Sequence, residues 1–544
     1  MDKEALIFYQ IYPKSFYDAS GDGIGDIQGI IEKIPYLVNL GINAVWLSPI
    51  YLSPMKDNGY DISDYYKVHP MFGSLDDLKT LIEKLHEANI LLIMDLVINH
   101  TSSEHPWFLE SKQSLDNPKR DFYLWKKGLK NGRKPPNNWT AFFTGSAWSK
   151  TKETDEYYLH IFSQDQPDLN WDNETVYQTI KTMIKYYLDL GVDGFRMDVI
   201  NLIGKDSQFK NGRMRIALKG IEHYLSHPKS HRILRRLHED LFSHYDMVTI
   251  GECVFVSKDD ALNYIAPKRK ELDMVFHFDH MGVDNFYKWF IKKFKAYKLK
   301  KVLYDWQEAI GSQGLNAIYL ENHDQPRSIS RFGDEHYHFE SGSLLATLIF
   351  TLKGIPFIYQ GQELGMTNVR FDSLDDYRDV ETKNVYILGR KTFKFTHKRM
   401  MKKIHKMSRD NARTPVQWDS TPNAGFSTHT PWINLNSNFK TLNIKDALKN
   451  QNSLLNYYKA LIALRKQEPS LIYGAFKKIP SKKNVYHYER SYNGKTLIII
   501  LNHQNKTINY NLNQSLTQGK TLLSNYQDVK ENQLRPFEAV IIKK

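Results

Sequence analysis

Eight short apolar, β-branched segments recur between residues 5 and 365, and amphipathic helical stretches separate them. This alternation is typical of parallel βαβ units. Two of the stretches between them, Leu75–Ala88 and Val176–Leu190, show a clear helical period. Eight such units predict an α/β fold, a closed (β/α)₈ TIM barrel. The predicted strands are Leu6–Tyr12, Ala44–Leu47, Leu91–Leu96, Gly194–Asp198, Met247–Gly251, Met274–Phe278, Ala317–Leu320 and Pro356–Gln360.

Two interruptions and one change of pattern predict the domain organisation. The stretch from His100 to Trp171 has no repeating apolar period and predicts a domain inserted after strand 3. An irregular stretch, Gly365–Asp419, follows the eighth strand, at the end of a barrel that carries function. From about Leu471 the apolar period is two, which predicts a C-terminal antiparallel β domain. The predicted bounds are 1–100 and 173–470 for the barrel, 101–172 for the inserted domain and 471–544 for the C-terminal domain.

The charge balance raises the question of anionic partners. The chain has 544 residues and carries 74 Lys and Arg against 61 Asp and Glu, a net charge of +13. The lysines concentrate in Lys292–Lys301 and Lys391–Lys406, where they alternate with apolar residues as on the outer face of amphipathic helices. We therefore expect solvated helix faces and no nucleic-acid partner.

Cysteine usage and the N-terminus bear on the compartment. A single cysteine, Cys253, excludes an intrachain disulfide and any site with several cysteine ligands. The charged N-terminus leads directly into the first strand, and no segment reaches eighteen apolar residues. We expect a cytoplasmic monomer without membrane contact.

Acidic residues and histidines follow the predicted strands. A single acid at such a position is commonly a helix N-cap, but caps require neither an Arg two residues before the acid nor a His beside it. The carboxyl ends of barrel strands meet at one mouth, so we expect these side chains to lie together. They are Asp95 and His100 in DLVINH, Arg196 and Asp198 in GFRMDV, Glu252 in IGEC, and His323 and Asp324 in ENHD.

Carboxylates in one mouth, without His or Cys at metal-ligand spacing, fit cleavage of a glycosidic bond better than phosphoryl, acyl or hydride transfer. That reaction requires one nucleophile and one acid. The sequence contains no GxSxG elbow, Walker loop or HExxH helix that would favour another chemistry.

Six motifs identify a family resemblance that covers nearly the whole chain. The chain resembles glycoside hydrolase family 13, the α-amylase family, and is most similar to its oligo-1,6-glucosidase and dextran glucosidase branch. The resemblance implies a (β/α)₈ barrel with a domain inserted after strand 3 and a C-terminal β domain. The motifs are DLVINH at 95–100, QPDLNW at 166–171, GFRMDVI at 194–200, GEC at 251–253, ENHDQPR at 321–327 and SRDNARTPVQW at 408–418.

The resemblance implies roles for the three acids. Asp198 is expected to be the nucleophile, Glu252 the general acid/base and Asp324 the acid that holds the sugar 2- and 3-hydroxyls. Retention requires the carboxyls of Asp198 and Glu252 to lie about 5–5.5 Å apart. Arg196 is expected to keep Asp198 ionised, and the neighbours of Glu252 in the sequence predict a weakly polar setting for it.

The resemblance also implies a substrate pocket. Closure by Asp57 and Arg413 over a terminal glucose implies exo action. Val199, directly after the nucleophile, matches the valine typical of α-1,6-acting members and favours bonds of the isomaltose type. The implied substrate-binding residues are Asp57, Tyr60, His100, Phe162, Gln166, Arg196, Val199, His323 and Arg413.

An early loop resembles the calcium loop of this branch. Oxygen ligands at alternate positions suit a hard cation. Ser20 stands where Asn is usual, and a hydroxyl is a weaker ligand than an amide oxygen. We expect a structural Ca²⁺ and no organic cofactor. The implied ligands are Asp18, Ser20, Asp22, Ile24 and Asp26.

The leading hypothesis is an exo-acting α-1,6-glucosidase that releases glucose from isomaltose, isomalto-oligosaccharides or panose. The alternatives are a trehalose-6-phosphate hydrolase, for which the basic stretch Lys205–Arg236 could supply a phosphate clamp, and an α-1,4-glucosidase or transglucosylase. Sucrose isomerases carry a charged RLDRD-type segment where this chain has Arg327–Arg331 with the sequence RSISR, which disfavours isomerisation. Non-catalytic transporter subunits of this fold carry a membrane helix and often lack the acids, so a binding role is also disfavoured.

Overall fold

Eight parallel strands close into a barrel, in which each strand pairs with its neighbours along the chain. The computed structural model describes residues 1–512, 515, 517 and 519–544. The first strand closes the barrel, because Phe8 pairs with Ala44 on one side and with Phe357 on the other. Every strand overlaps its predicted segment, so the predicted barrel is confirmed. The strands are Phe8–Ile11, Ala44–Leu47, Leu91–Leu96, Gly194–Met197, Val248–Glu252, Met274–Phe276, Leu315–Ile318 and Ile355–Tyr359.

Aromatic rings fill the inside of the barrel. Phe8 stacks on Phe357 with 4.4 Å between ring centroids, and Phe276 lies 4.6 Å from Phe357 and 5.4 Å from Trp46. Helices cover the outside, so nearly every strand residue is buried. The interior is therefore a packed core, and the space for a site lies at the carboxyl ends of the strands.

The helices bury one face against the barrel. Leu75–Glu87 is typical: a capping box of Ser74 and Asp77 starts it, and Leu78, Leu81, Ile82 and Leu85 are buried. The helices of at least six residues in the described chain are Ile27–Glu32, Ile34–Leu40, Leu75–Glu87, Pro106–Ser111, Glu174–Asp189, Pro228–Asp240, Lys258–Ile265, Ala296–Ile310, His338–Thr351, Val380–Lys391, His397–Met407, Ile444–Lys449 and Leu454–Gln467.

Two antiparallel sheets lie outside the barrel. A three-stranded sheet falls between the third and fourth barrel strands, within the predicted insertion. A five-stranded sheet forms the C-terminal part, as the period of two predicts. In sheet order the strands are Trp125–Lys126, Tyr157–Leu159 and Trp148–Lys150 in the first sheet, and Ala475–Lys478, Val485–Tyr492, Lys495–Asn502, Ala539–Lys543 and Lys520–Ser524 in the second.

The remaining strands of the described chain form three short two-stranded sheets. One of them, Asn285–Phe286 with Phe290–Ile291, follows the sixth barrel strand and stands beside the mouth. The other two pair Tyr51–Leu52 with Asp64–Val68, and Ile508–Asn509 with Gln533–Leu534.

The structure corrects two local predictions. The stretch predicted to be irregular, Gly365–Asp419, contains the helix Val380–Lys391 and also His397–Met407, which agrees with the helix expected for the lysine run Lys391–Lys406. The first of these buries only Thr382 and Gly389, so it shows no apolar period in the sequence. The lysine run from 292 to 301 is only partly helical, because its helix begins at Ala296.

In the described chain, no helix is both long enough and apolar enough to cross a bilayer.

Candidate active site

One arginine joins three carboxylates at the barrel mouth. Arg196 Nη1 lies 2.6 Å from Asp95 Oδ1 and 2.9 Å from Asp198 Oδ1, and Arg196 Nη2 lies 2.7 Å from Glu252 Oε2. The acids come from the ends of the third, fourth and fifth barrel strands. Arg196 is 2% exposed, so water screens these contacts little. The four strand-end residues form one charged cluster.

The surroundings of Asp198 and Glu252, the proposed nucleophile and acid/base, differ from those predicted. Burial raises the pKa of the Asp198 carboxyl well above its usual value, and the guanidinium of Arg196 only partly opposes that rise. Glu252 does not lie in a weakly polar setting, because it forms an ion pair with Arg196 and accepts a hydrogen bond from the amide of Val199 at 3.1 Å. The sharing of Arg196 among three acids could not be predicted, since Asp95, Asp198 and Glu252 lie far apart along the chain.

Val199 has a strained backbone next to the acids. Its φ and ψ are both 39°, in the left-handed region that β-branched residues avoid. Such a conformation costs about 1–3 kcal/mol and persists where the surrounding structure requires it. Here it turns the amide of Val199 toward Glu252. The backbone at this position therefore orients Glu252 in addition to any effect of the side chain.

A second charged network lies across the mouth. Arg413 Nη2 lies 2.7 Å from Asp324 Oδ1, and Arg409 lies 3.3 Å from Asp324 and 3.2 Å from Asp57. Arg409 also binds Asp379 at 2.7 Å. Burial acts to raise the pKa of Asp324, but His323, Arg409 and Arg413 together hold that pKa well below its usual value.

Sequence reasoning missed Arg409 and Asp379. Arg409 lies inside the motif SRDNARTPVQW, so the motif identified its segment but not its role. Asp379 belongs to no motif that we identified.

Tyr60 and His323 connect the two networks. The hydroxyl of Tyr60 donates to Asp95 at 3.0 Å and lies 2.7 Å from His323 Nε2. The two rings stack with their centroids 5.3 Å apart. His323 is held on its other side by Gln10, whose amide nitrogen lies 2.7 Å from Nδ1. These contacts fix the floor of a pocket between Asp198 and Asp324.

Gln166, His100 and Phe162 complete one wall of the pocket. Gln166 Nε2 donates to Asp57 at 3.2 Å and lies 3.2 Å from His100 Nε2, while its carbonyl oxygen is buried without a partner. Burial lowers the pKa of His100 to about 4, so its ring is neutral at pH 7. The ring of Phe162 lies 5.4 Å from that of His100. The substrate residues implied by the resemblance thus lie in one connected set of contacts, and their role in binding stays a prediction.

An open cleft of about 880 Å³ lies beside these networks. It begins at Val254 and Gln325, close in sequence to Glu252 and Asp324. Its walls are mostly apolar. We call it the aromatic cleft, after Phe142, Phe255, Phe286, Phe290 and Phe393 in its lining.

The first and last cations of the basic stretch Lys205–Arg236 are both paired with acidic side chains. Lys205 is buried, with Nζ 2.8 Å from Asp168 and 2.7 Å from Asn99. Arg236, at the other end, binds Glu174 through two hydrogen bonds of 2.6 and 2.7 Å. Lys205 is thus a buried structural cation, whereas Arg236 is paired at the surface.

The predicted calcium loop is closed by its own hydrogen bonds. Asp18 accepts from the amides of Gly21 and Gly23 and from two serine hydroxyls, at 2.6–3.0 Å. Burial acts to raise the pKa of Asp18, but these bonds lower it below the usual value. Asp26 caps the helix Ile27–Glu32. The described residues contain no group of three acids or histidines that could hold a metal, so as it lies this loop does not gather its carboxylates, and Ca²⁺ binding stays a prediction.

The sequence profile of the α-amylase catalytic domain matches residues 10–474. The chain belongs to the α-amylase family. It is similar to the oligo-1,6-glucosidase of Parageobacillus thermoglucosidasius, with 48% identity over 99% of this chain and 98% of that protein.

Two solved structures of other α-amylase family proteins are also similar to this chain. The trehalose-6-phosphate hydrolase of Bacillus licheniformis has a TM-score of 0.95 at 40% identity, over 100% of this chain and 99% of that one. The isomaltulose synthase of Klebsiella sp. LX3 has a TM-score of 0.96 at 37% identity, with the same coverage. The chain is thus a glycoside hydrolase of the α-amylase family, in a branch whose members differ in substrate.

Proposed function

We propose that the protein is a retaining, exo-acting α-glucosidase that hydrolyses α-1,6 bonds at the non-reducing end of isomaltose, isomalto-oligosaccharides and panose. The observation that carries the proposal is the binding of Asp198 and Glu252 to the two ends of one guanidinium. This shared contact keeps the two carboxyls close together, as a double displacement at one carbon requires.

The chemistry takes two steps. Asp198 attacks C1 of the glucosyl unit while Glu252 gives its proton to the glycosidic oxygen, so the C1–O bond breaks and a glucosyl ester forms. Water then attacks C1, its proton passes to Glu252, and Asp198 leaves as a carboxylate. Two inversions at C1 give retention. Arg196, which contacts both side chains, stabilises the carboxylate form of each in turn.

The second network supports exo action. Arg409 and Arg413 tie Asp324 and Asp57 together on the side of the pocket opposite Asp198. A wall of paired charges ends the pocket and offers hydrogen bonds to the hydroxyls of one terminal sugar. Asp324 keeps 30% of its side chain exposed, and the free carbonyl oxygen of Gln166 can accept from a further hydroxyl.

The α-1,6 preference rests on Val199 and on the oligo-1,6-glucosidase relative. Val199 is 5% exposed, its side chain belongs to an apolar cluster, and its backbone amide contacts Glu252. The relative named above is 48% identical over nearly the full length of both chains.

A trehalose-6-phosphate hydrolase requires cations free to hold a phosphate beyond the cleaved bond. In the lining of the aromatic cleft, the cations already have partners: Lys288 binds Glu381 at 2.5 Å, Arg331 binds Asp284 at 2.8 Å, and Lys403 donates to the carbonyl of Trp289 at 2.6 Å. These pairs favour a neutral aglycone over a phosphorylated one.

Glucose release from isomaltose, panose, maltose, sucrose and trehalose-6-phosphate, measured in parallel, tests the proposal. We expect the highest kcat/KM for isomaltose and panose. The variant Asp198→Asn removes the nucleophile and is expected to lower kcat by about 10³-fold or more. Cleavage of trehalose-6-phosphate alone would contradict the proposed substrate while leaving the catalytic roles in place.

We also propose that the loop from Asp18 to Asp26 binds a structural Ca²⁺ through the residues implied by the resemblance. Two observations support it: Asp18 is held ionised by its hydrogen bonds, and Ser20 contacts the carboxylates of both Asp18 and Asp26. We expect Ca²⁺ to raise Tm relative to EDTA, and Asp18→Asn to abolish that difference. An unchanged Tm in wild type would show that the loop's own hydrogen bonds are sufficient.

A further inference from the structure

The aromatic cleft leaves several large apolar side chains exposed on one concave surface. Four of its phenylalanines are roughly half exposed: Phe255 at 54%, Phe286 at 52%, Phe393 at 46% and Phe290 at 44%. They come from different segments of the chain, after the fifth, sixth and eighth barrel strands. Their convergence on one concave surface indicates a binding function.

The rings form two walls. On one side, Phe162 of the glucose pocket stacks on Phe142 with centroids 4.9 Å apart, and Phe142 stacks on Phe255 at 6.4 Å. On the other side, Phe290 meets Phe393 edge to face at 6.2 Å. The first wall runs without a break from the pocket into the cleft. A flat apolar group attached at C1 of the bound glucose would therefore meet rings along this wall.

Several polar side chains at the cleft already form hydrogen bonds or ion pairs with each other. The indole N–H of Trp289 donates to Glu381, which also binds Lys288. Arg331 holds Asp284 and the side-chain carbonyl of Gln325. A sugar needs a partner for each hydroxyl that it buries, since an unpaired polar group is costly. An aromatic group has no such requirement, so the cleft also suits an aromatic ligand.

We propose that the aromatic cleft binds aromatic alcohols and that the enzyme transfers glucose to them. The inference rests on the proposed retaining mechanism and extends it to a class of acceptor. In the transfer step the hydroxyl oxygen of the alcohol attacks C1 of the glucosyl ester, the ester bond to Asp198 breaks, and the hydroxyl proton passes to Glu252. The products are an α-glucoside of the alcohol and the free enzyme, so no further reactant is required.

The test uses α-glucosyl fluoride as donor, because fluoride leaves the cleft empty for the acceptor. Benzyl alcohol and ethanol, both primary alcohols, are compared at equal concentration by the ratio of glucoside to glucose formed. We expect this ratio to be at least about fivefold higher for benzyl alcohol, since stacking of its ring adds binding energy. Phe290→Ala and Phe393→Ala are expected to lower the preference by threefold or more. Tyr492→Ala, an exposed aromatic in the C-terminal sheet, serves as the matched control and is expected to keep it.

The outcomes separate this inference from the proposed function. Equal ratios for the two alcohols, or a preference that both Phe variants retain, would overturn the inference while isomaltose hydrolysis stands. A wild-type preference for benzyl alcohol without isomaltose hydrolysis would overturn the proposed linkage and support the inference. Equal ratios together with self-association that the Phe variants abolish would show that the surface is a protein interface, and would overturn the inference.

Discussion

At the residue scale, the site depends on buried arginines that each serve several carboxylates. Arg196 holds three acids and Arg409 holds Asp57, Asp324 and Asp379. Burying a charge without a partner costs several kcal/mol, so these arginines make a group of buried acids possible. The same physics acts on Glu321, an acid in the ENHD segment to which we assign no chemical role.

Glu321 is expected to make stability depend on pH. Burial raises the pKa of Glu321 to about 7, although Arg327 and two bonds from Ser328 oppose the rise. The raised pKa stabilises the fold below about pH 4.5, and this contribution is lost as the pH rises through 7. Glu321→Gln should therefore gain about 2 kcal/mol relative to wild type between pH 5 and pH 8.

Thermal unfolding at the two pH values measures this change. The exposed Glu83→Gln serves as the matched control. If the difference in Tm between Glu321→Gln and wild type is the same at pH 5 and pH 8, Glu321 does not titrate in this range.

At the element scale, the barrel strands could be predicted because helices cover them and their residues form short continuous apolar runs. The cluster at their carboxyl ends follows from the topology of a barrel, so the position of Glu252 could be predicted too. The role of Arg409 could not, because it depends on contact with Asp57, 352 residues away in the chain. Val380–Lys391 escaped prediction because it buries too little to show a period.

The joint between the barrel and the C-terminal sheet depends on Arg490. This buried residue donates to the carbonyls of Thr351 at 2.7 Å, Gly474 at 3.0 Å and Ile472 at 3.3 Å. Arg490→Lys keeps the charge but cannot reach all three oxygens, so we expect a loss of about 2–4 kcal/mol and a lower Tm. Arg232→Lys, on an exposed helix face, is the control. An unchanged Tm for Arg490→Lys would show that the joint is held by apolar packing alone.

At the scale of the whole molecule, the proposed function gives the enzyme a direction along its substrate. In that proposal one terminal glucose lies between the two charged networks, and the rest of the substrate extends into the aromatic cleft. With isomaltotetraose labelled at its reducing end, we expect free glucose without label and labelled isomaltotriose as the first products. Chromatography of early time points measures this, and early release of isomaltose would contradict exo action.

The long separation between Asp57 and Arg409 also has a consequence for synthesis. The first barrel strand lacks its partner until Phe357 has been made, so an unpaired strand edge is exposed on the nascent chain. Chains grow at about 5–20 residues per second, so this edge waits for tens of seconds. The contact between Arg409 and Asp57 cannot form until about three quarters of the protein exists. A ligand that requires this contact can therefore protect the finished protein but not the growing chain.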